Sequence, residues 1–562
     1  MDQHAISTIF DDIANLLELR RDDPFRVRAY RRAAQALLTL EESLQAVARR
    51  DGLEAIPGIG KTLAGEIREL LESGQLRYHD HLRSEVPEGL PALLRLPSLS
   101  ARQVRALWQQ HHVTSLNQLA QQYRAGTTPL DAATLAALGN DLAALERARN
   151  RMPLGTALPR AEALADNLAR LPAVERIAIG GSIRRGAPLV GDINIVMGSG
   201  DAEGLLEHCR SQPEVTRILD SGPASTRLRI SEGIDVSLAA VRPEQFAAAL
   251  LLRTGRAAHV DGLRERAERQ GWHLSGDDAA DHETDLYTLL GLPFIAPELR
   301  EGRGEIAAAE AGNLPGLVSQ PDLLGDFRVA SHWGDGANGL DQIAQAARKM
   351  GYQYAAVCDA AHSPATGRGL SADELEQQIA SIELINAALP DDFRLLAGVE
   401  VDLSPNGDVL APAPLLRTCD LVVAAARTGL NEPRRHLTAR LCKAMENPFV
   451  HVLALPPARP SVETRMPPID IDAILETAAA THTCLEINSQ PLRSGLTDLH
   501  IRHAAQRGVM LTLASAAQRL HDLPSITLGL TAARRGWAEP RHLLNTRPLA
   551  AVRQFLNGSS QA

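Results

Sequence analysis

Three polar residues that flank or lie within apolar runs could bind metal ions beside a glycine turn. The turn is GGSIRRG at residues 180–186, which follows a β-branched run and precedes a helix start. Asp192 and Asn194 are two apart in a second apolar run, so their side chains share one face of a strand, and Asp235 lies in a third run. Glycine-turn N–H groups bind phosphate, and carboxylates hold Mg²⁺. The arrangement is typical of a two-metal nucleotidyltransferase.

The middle member of this set carries no charge. Asn194 can ligate a metal through its amide oxygen, but a site for two divalent ions needs several anionic oxygens, so the second ion should be weakened most. In the turn, Gly181, Ser182 and Arg185 are the candidates for contact with phosphate oxygens. Taken alone, the turn is also compatible with an ordinary strand–turn–helix connection.

The joint pattern resembles the palm of the X-family DNA polymerases, where GS-x-RRG-x4-GD-x-D binds the incoming nucleotide and the metal ions. The resemblance implies that Ser182 and Arg185 contact the triphosphate of a deoxynucleotide. It also implies that Asp192 and Asp235 are ligands of Mg²⁺ or Mn²⁺ if the palm is active. Asn194 then replaces the acid that bridges both ions, so the resemblance itself predicts impaired chemistry.

The totals limit the class of protein. A chain of 562 residues suggests about three to four domains, and its 44% apolar content is ample for globular cores. The net charge of −10 excludes a general cationic coat for nucleic acid, so DNA contacts must come from local patches. Five cysteines without CxxC spacing imply neither a zinc knuckle nor a disulfide framework. Without a signal peptide or an 18-residue apolar run, we expect a cytoplasmic, nucleoid-associated protein with no membrane partner.

The first 80 residues show helical apolar spacing and one sharper feature. Between two helical patterns, Gly58 and Gly60 with Lys61 resemble a helix-hairpin-helix motif, whose amides bind a DNA phosphate without base readout. A plain helix–helix turn is the alternative. Residues 96–100 and 135–140 are worn copies of the motif, and in the first of these serines replace both glycines.

Residues 1–125 as a whole resemble the N-terminal region of bacterial X-family polymerases, which grips the downstream side of a DNA gap. In some relatives a lysine of this region cleaves abasic sites through a Schiff base. The matching position here is Glu66, and a carboxylate cannot form the imine, so we predict no lyase activity.

Residues 151–300 are predicted to form the palm and a thumb-like segment. The family places an aromatic pair before Thr-Gly and a base-contacting asparagine after a histidine. In this sequence Leu252 and Arg253 replace the aromatic pair, and Val260 replaces the asparagine. The framework of the thumb is retained, which fits packing better than chemistry.

From about residue 326 to 540, short apolar strands alternate with helices, which predicts a parallel sheet, plausibly a barrel. The segment resembles the polymerase-and-histidinol-phosphatase (PHP) domain, which cuts DNA from the 3′ end with metals held by histidines and acids. Of the matched ligand positions, Asp335 and Glu400 keep a carboxylate. Seven positions have lost theirs: Arg328, Ala330, Ala360, Arg427, Leu455, Ser515 and Ala517.

Two carboxylates cannot hold a metal cluster, and two arginines repel cations, so we predict that the barrel has no metals and no phosphoesterase activity. His332, His362 and His482 lie near the lost positions but not on them, and we interpret them as surface or core residues. We interpret Glu486 and Asn488, after a strand, as structural.

The predicted architecture is multidomain, α and α/β. It comprises a helix-hairpin-helix DNA-binding domain (1–150), an X-family nucleotidyltransferase palm and thumb (151–305), a linker (306–325) and a degenerate PHP-like (β/α) barrel (326–562).

Three functional hypotheses follow from these patterns. The first is a polymerase homologue that binds gapped or nicked DNA or DNA ends in repair, with exonuclease activity lost and polymerase activity lost or weak. The second is an active gap-filling polymerase that uses Mg²⁺ or Mn²⁺ and a deoxynucleoside triphosphate. The third is a protein-binding scaffold without affinity for gapped DNA. The sequence specifies neither protein partners nor oligomeric state.

Overall fold

The protein is described by a computed structural model. The described residues are 3–20, 22–38, 44–50, 52–56, 58–73, 76–87, 89–94, 96, 98–149, 151–231, 233–364, 367–430, 432–456, 469–490 and 495–559. Pro57 and Pro97, which belong to the predicted hairpins, lie outside them. Within these ranges, no helix is both long and apolar enough to cross a membrane.

The N-terminal region is helical, as predicted. Ile6, Phe10, Ile13 and Leu17 recur at helical spacing on the first helix and are fully buried, and the ring of Tyr30 meets that of Phe10 edge-on at 5.5 Å. The helices among the described residues are α1 (Gln3–Arg20), α2 (Pro24–Leu38), α3 (Leu44–Arg49), α4 (Lys61–Ser73), α5 (Arg77–Ser84), α6 (Leu90–Leu94), α7 (Ala101–His111), α8 (Leu116–Arg124) and α9 (Ala132–Arg149).

A mixed five-stranded sheet follows. Its order is β2-β4-β7-β6-β5, with β4 and β7 parallel and the other neighbours antiparallel, and β1 pairs with β3 beside it. Its elements are β1 (Met152–Pro153), α10 (Leu154–Ala169), β2 (Arg176–Ile179), α11 (Gly181–Arg184), β3 (Leu189–Val190), β4 (Ile193–Gly198), α12 (Ala202–Arg210), β5 (Val215–Ser221), β6 (Ser225–Ile230) and β7 (Asp235–Val241). Helices α10 and α12 contribute to the core under the sheet.

Four helices and a short 3-10 turn (Pro297–Leu299) form a thumb-like subdomain: α13 (Phe246–Thr254), α14 (Ala257–Arg269), α15 (Glu283–Leu289) and α16 (Glu305–Glu310). The segment 306–325, predicted as a linker, begins inside α16. Ile306 and Leu317 pack on the thumb core, whereas Val318 and Leu323 belong to the core of the next domain. The segment is therefore packed between two cores.

The C-terminal region alternates strands and helices. Seven parallel strands are ordered β14-β13-β12-β11-β10-β9-β8, each beside its neighbour in sequence, as the periodicity predicted. The elements are β8 (Gly325–Val329), α17 (Leu340–Lys349), β9 (Tyr354–Ala360), α18 (Ala372–Ala388), β10 (Arg394–Asp402), α19 (Ala413–Leu416), β11 (Leu421–Ala425), α20 (Arg434–Met445), β12 (Val452–Ala454), α21 (Ile471–Thr481), β13 (Cys484–Asn488), α22 (Asp498–Gln506), β14 (Leu511–Ala514), α23 (Ile526–Arg535) and α24 (Leu549–Ser559).

The sheet curls until β8 approaches β14, which makes a nearly closed barrel. No regular ladder joins these two strands; the parallel bridge at this edge pairs Val329 with Ala517, which lies beyond the end of β14. The fully buried amide of Asn545 spans the gap: its Nδ2 donates to the carbonyl oxygens of Gly325 (2.8 Å) and Leu513 (2.9 Å), and the Leu513 N–H donates to its Oδ1 at 2.6 Å. One side chain thus supplies hydrogen bonds that a paired strand would otherwise supply.

Candidate functional site

The glycine turn of the palm lies against Asn194. Strand β2 ends at Ile179, and Gly181, which begins α11, has φ +63°, in the region that favours glycine. The Gly180 N–H donates to the Asn194 carbonyl at 2.8 Å, and a Cβ on Gly181 would come within 2.7 Å of Asn194 Nδ2. The turn and the polar strand, predicted to share one site, are therefore in direct contact.

The register of two parallel strands brings the acids together. Ile193 is aligned with Val236 and Asn194 with Ser237, so Asp192 and Asp235 lie at the same level, one residue earlier. Aligned residues of parallel strands point to the same face. Asp192, Asn194 and Asp235 are all partly exposed on that face. Asp192 has no side-chain partner among the residues that the structure describes.

Asp235 is occupied by two arginines of the neighbouring strand β6. Arg229 Nε donates to its Oδ1 at 2.7 Å, and Arg227 Nη2 donates to its Oδ2 at 3.2 Å. The hydrogen bond with Asp235 raises the pKa of Arg229. Both carboxylate oxygens of Asp235 thus already face a positively charged guanidinium. A divalent cation would have to displace these arginines or bind against their repulsion. Nothing in the local sequence pattern indicated this pairing.

Removing the two arginines should strengthen metal binding. We expect the Arg227→Gln/Arg229→Gln chain to bind Mn²⁺ about tenfold more tightly, because the two positive charges that face Asp235 and oppose a cation are removed. Mn²⁺ titration followed by electron paramagnetic resonance measures the change. Arg217→Gln is the matched control, since Arg217 is exposed on the adjoining strand β5 and does not contact Asp235. Unchanged or weaker binding in the double variant would contradict the cation-competition explanation.

The arginines of the turn are held by acids of the thumb. Arg184 forms a forked ion pair with Glu283, at 2.9 and 2.6 Å. Arg185 Nε donates to Glu301 Oε1 at 2.9 Å, and its Nη1 donates to the Thr254 carbonyl at 2.7 Å. These partners were missed because the acidic thumb framework was attributed to packing. Their only signal in the sequence was acidic residues within that framework.

Ser182 differs from the arginines beside it. It is half-buried, and its hydroxyl has no partner among the described residues. A serine hydroxyl can both donate and accept, so an unengaged one beside a glycine turn can donate to a phosphate oxygen. The turn therefore has the Ser182 hydroxyl available for a phosphate oxygen, beside two arginines, Arg184 and Arg185, that already bind acids of the thumb.

Among the substituted thumb positions, Val260 is buried and Arg253 is half-buried, and the neighbouring His259 is enclosed. Val260 is 6% exposed, and burial lowers the pKa of Arg253. His259 is fully buried, with Nδ1 2.7 Å from Glu305 Oε1 and Nε2 3.0 Å from the Tyr287 hydroxyl. Burial lowers the pKa of His259, although Glu305 acts in the opposite direction. This triad joins thumb helices and has no open side.

The predicted hairpin in the N-terminal region is exposed where it should meet DNA. Gly58 (φ +90°), Gly60 and Lys61 are exposed, Ile59 between them is buried, and Lys61 begins α4. The first N–H groups of α4 lack helical acceptors and can donate to a phosphate.

Further along α4, the position that the family gives to a reactive lysine has a structural role. Glu66 accepts a hydrogen bond from the Tyr30 hydroxyl at 2.7 Å, and burial raises its pKa. A carboxylate bonded in this way ties α4 to α2.

In the first worn copy of the hairpin, the serines make local contacts. The Ser98 N–H donates to Asp141 of α9, and Ser100 caps α7 in a capping box with Gln103.

At the carboxyl ends of the barrel strands lies an open cavity of about 1110 Å³. Arg328 reaches two acids there: its Nη1 is 3.0 Å from Glu400 Oε2, and its Nη2 is 3.0 Å from Glu486 Oε1. Arg427 Nη2 donates to Glu400 Oε1 at 2.7 Å. Asp335 lies exposed on the turn after β8 and lines the cavity. The carboxylate of Glu400 is therefore bound by the two arginines that stand at lost ligand positions.

Arg328 and the two glutamates of this cluster influence each other's ionisation. Burial opposes its ionisation, but Glu486 and Glu400 outweigh that effect and raise the pKa of Arg328. Burial raises the pKa of Glu486, although Arg328 acts in the opposite direction. Among the described residues no three histidines, cysteines or acids are grouped so as to hold a metal ion.

The three histidines near the lost positions, His332, His362 and His482, are all exposed, and His482 caps the end of α21 with φ 55°.

A helical domain with an exposed hairpin, a mixed-sheet palm with a glycine turn facing two aspartates, and a helical thumb define the class of nucleotidyltransferase found in DNA polymerases. The sequence matches the helix-hairpin-helix domain over residues 1–76 and the DNA polymerase beta thumb over residues 249–301. It is 30% identical to the DNA polymerase/3′-5′ exonuclease PolX of Bacillus subtilis (strain 168) over 572 aligned positions, which cover 99% of each chain.

The chain therefore belongs to the PolX-type X-family DNA polymerases. It is also 26% identical to the DNA polymerase lambda of Rattus norvegicus over 325 positions, which cover 50% of this chain and 53% of the rat protein.

Proposed function

We propose that the chain acts in DNA repair by binding gapped or nicked DNA or DNA ends, with little or no nucleotidyl transfer and without exonuclease activity. The observation that supports it most is the state of the palm acids. Asn194 contributes no charge, and the Asp235 carboxylate is paired with Arg227 and Arg229, so Asp192 is the one anionic ligand without a partner among the described residues. Two Mg²⁺ or Mn²⁺ ions need more negative charge than that.

Each part of the chain has a role in this proposal. The hairpin at Gly58, Gly60 and Lys61 would hold a DNA phosphate, and Gly181, Ser182 and Arg185 would contact a deoxynucleoside triphosphate. The limits that we propose are 1–150 for the DNA-binding domain, 151–305 for palm and thumb, and 326–562 for a PHP-like barrel. A DNA-bound chain would act in the cytoplasm, at the nucleoid.

For the barrel, the proposal is loss of phosphoesterase chemistry. The remaining family carboxylates are Asp335 and Glu400, and Glu400 already binds Arg328 and Arg427. Fixed guanidinium groups supply positive charge at places where metal ligands would otherwise be needed. The donor set therefore does not fit a metal cluster, and no hydrolytic step is assigned to the barrel.

A second candidate is a weak Mn²⁺-dependent gap-filling polymerase. It is favoured by the Ser182 hydroxyl and the Asp192 carboxylate, which have no partner within the part of the chain that the structure describes and lie beside the glycine turn. In this candidate the amide oxygen of Asn194 serves as a neutral ligand, and nucleotide binding supplies the remaining metal ligands from its phosphates.

Binding and extension measured on one DNA decide between these functions. We expect the full chain to bind a one-nucleotide gap more tightly than intact duplex by fluorescence anisotropy, and to add almost no nucleotide with Mg²⁺. Lys61→Gln should weaken binding and lower the salt slope by about one, whereas Lys349→Gln, an exposed lysine on α17, should change neither. Clear incorporation would favour the second candidate. No affinity for gapped DNA at low salt would overturn both and favour a protein scaffold.

A further inference from the structure

A helix of the barrel lies directly on the glycine turn of the palm. Gly186, at the end of that turn, has φ +65°, and a Cβ there would fall 1.9 Å from Thr531 Cγ2 of α23. Leu528 of the same helix packs against the palm core. The barrel therefore touches the segment that is proposed to bind a triphosphate, and any residue larger than glycine would push the two apart.

Arg535, the last residue of α23, makes this contact polar. Its Nη1 donates to the Arg185 carbonyl at 2.7 Å and to Glu301 Oε1 at 2.8 Å, and its Nη2 donates to Asp498 Oδ2 at 2.8 Å. The side chain is 4% exposed. Hydrogen bonds from a charged group that is shielded from solvent are strong and directional. The backbone oxygen that Arg535 holds follows α11, the short helix of the glycine turn.

Glu301 is shared between the palm arginine and the barrel arginine. Its Oε1 accepts from both Arg185 and Arg535, and exposed Arg256 lies 3.7 Å from its Oε2. Burial alone would raise the pKa of Glu301, but Arg535 and Arg185 outweigh it and hold that pKa below its usual value. The buried carboxylate of Glu301 thus faces the buried guanidinium of Arg535 and the half-buried guanidinium of Arg185. Without Arg535, the charge of Glu301 would be matched mainly by Arg185.

We propose that Arg535 is a positioning residue for nucleotide binding, although it lies in the barrel. It fixes the backbone at the end of the glycine turn, and by sharing Glu301 it leaves part of the positive charge of Arg185 for a phosphate group. The inference rests on the proposed function only in taking Gly181, Ser182 and Arg185 as the triphosphate site. In this arrangement the barrel contributes to the palm without performing any chemistry of its own.

The test is equilibrium binding of a nucleotide, so that weak turnover does not matter. The full chain is loaded on a one-nucleotide gap with a dideoxy-terminated primer, and the complementary deoxynucleoside triphosphate is titrated by calorimetry with Mn²⁺. Arg535→Gln should raise the nucleotide Kd about tenfold, which corresponds to about 1.4 kcal/mol, without changing the Kd for DNA. Arg534→Gln is the matched control, because Arg534 binds Glu298 and the Val318 carbonyl instead and should change the Kd less than twofold.

A second substitution separates positioning from simple stabilisation. In the Arg535→Gln/Glu301→Gln chain, Arg185 is no longer neutralised, so nucleotide affinity should return to within about threefold of the original. If Arg535 only held the fold, the double variant would bind no better than Arg535→Gln, and that result would overturn the proposal. So would an equal loss in Arg534→Gln, or no nucleotide binding by the unsubstituted chain on gapped DNA.

The same experiments distinguish a failure of the proposed function from a failure of the role assigned to Arg535. A chain that did not bind gapped DNA would contradict that function, and the same nucleotide titration without DNA would still show whether Arg535→Gln and Arg534→Gln differ. Thermal unfolding of each variant shows that the compared chains are folded.

Discussion

Asn194→Asp is expected to raise the rate of single-nucleotide gap filling on the order of 100-fold. The substitution adds the missing negative charge between Asp192 and Asp235, and a bound metal stabilises transition-state charge by several kcal/mol, with about 1.4 kcal/mol for each tenfold in rate. Aspartate has the shape of asparagine, so the close packing against Gly181 is kept. Single-turnover primer extension on a one-nucleotide gap, with Mg²⁺ and with Mn²⁺, measures the rate.

Two further variants complete this experiment. Asn194→Ala removes the ligand without adding charge and should give no gain, while Asp192→Ala should abolish any incorporation, including that of the Asn194→Asp chain. If neither Asn194→Asp nor Asp192→Ala alters a measured rate, the palm is not a nucleotidyltransferase site and both polymerase hypotheses are wrong.

Arg328→Ala is expected to lower the stability of the barrel by about 3–5 kcal/mol. The change leaves Glu486, which is 4% exposed, without its cation and removes one of the two arginines on Glu400. Breaking a buried ion pair on one side leaves a desolvated charge, which costs about that much. Urea unfolding followed by circular dichroism, with the barrel transition resolved from the others, measures the loss.

Substitutions of the other charged residues in the same cluster serve as controls for Arg328→Ala. Arg427 is 27% exposed, so Arg427→Ala should cost clearly less than Arg328→Ala. Arg328→Met/Glu486→Leu removes both partners and should recover most of the lost stability, because an apolar pair no longer requires solvation. Equal effects of Arg328→Ala and Arg427→Ala would show that the buried pair does not dominate.

Sequence periodicity was sufficient for much of the fold and for the assembly of the palm. Short β-branched runs alternating with helices predict a parallel sheet, because each such strand is buried on both faces. The two-residue spacing of Asp192 and Asn194 placed them on one face, and the parallel register then set Asp235 beside them. The alternation and the two-residue spacing are local patterns, which the sequence carries directly, whereas the register of β4 and β7 comes from the structure.

The partners that decide the charge of the site depend on contacts that local pattern does not carry. Arg229 meets Asp235 only because the antiparallel register of β6 and β7 aligns them, and a one-residue slip would have turned Arg229 to the other face. Arg535 meets the Arg185 carbonyl across 350 residues of chain. Lost ligands can therefore be recognised in a sequence, whereas the cations that replace them need the three-dimensional structure.

The barrel contains both lost metal ligands, which the sequence reveals, and the cations that replace them, whose contacts only the structure reveals. Arg328 and Arg427 were predicted to repel metal ions, and Glu400 was interpreted as a remaining ligand. The structure places all three in one ion-paired cluster, with Glu486, which had been interpreted as structural, as the second partner of Arg328. The individual assignments followed from residue type, but their mutual neutralisation could not, because it depends on how strands β8, β10 and β13 meet.

The amide of Asn545 between β8 and β14 has a consequence for how the barrel comes apart. A regular backbone ladder pairs five residues of β10 with β11. The edge between β8 and β14 is instead joined by the three bonds of Asn545 and by isolated bonds, such as the Ala330 N–H to the Ala517 carbonyl (2.9 Å) and the Ser515 N–H to Asp326 Oδ1 (3.1 Å). An edge without a regular ladder should open more readily. Amide protons of Leu513 and its neighbours should therefore exchange with deuterium sooner than those of β10 and β11, and a barrel that unzips would begin at its first and last strands.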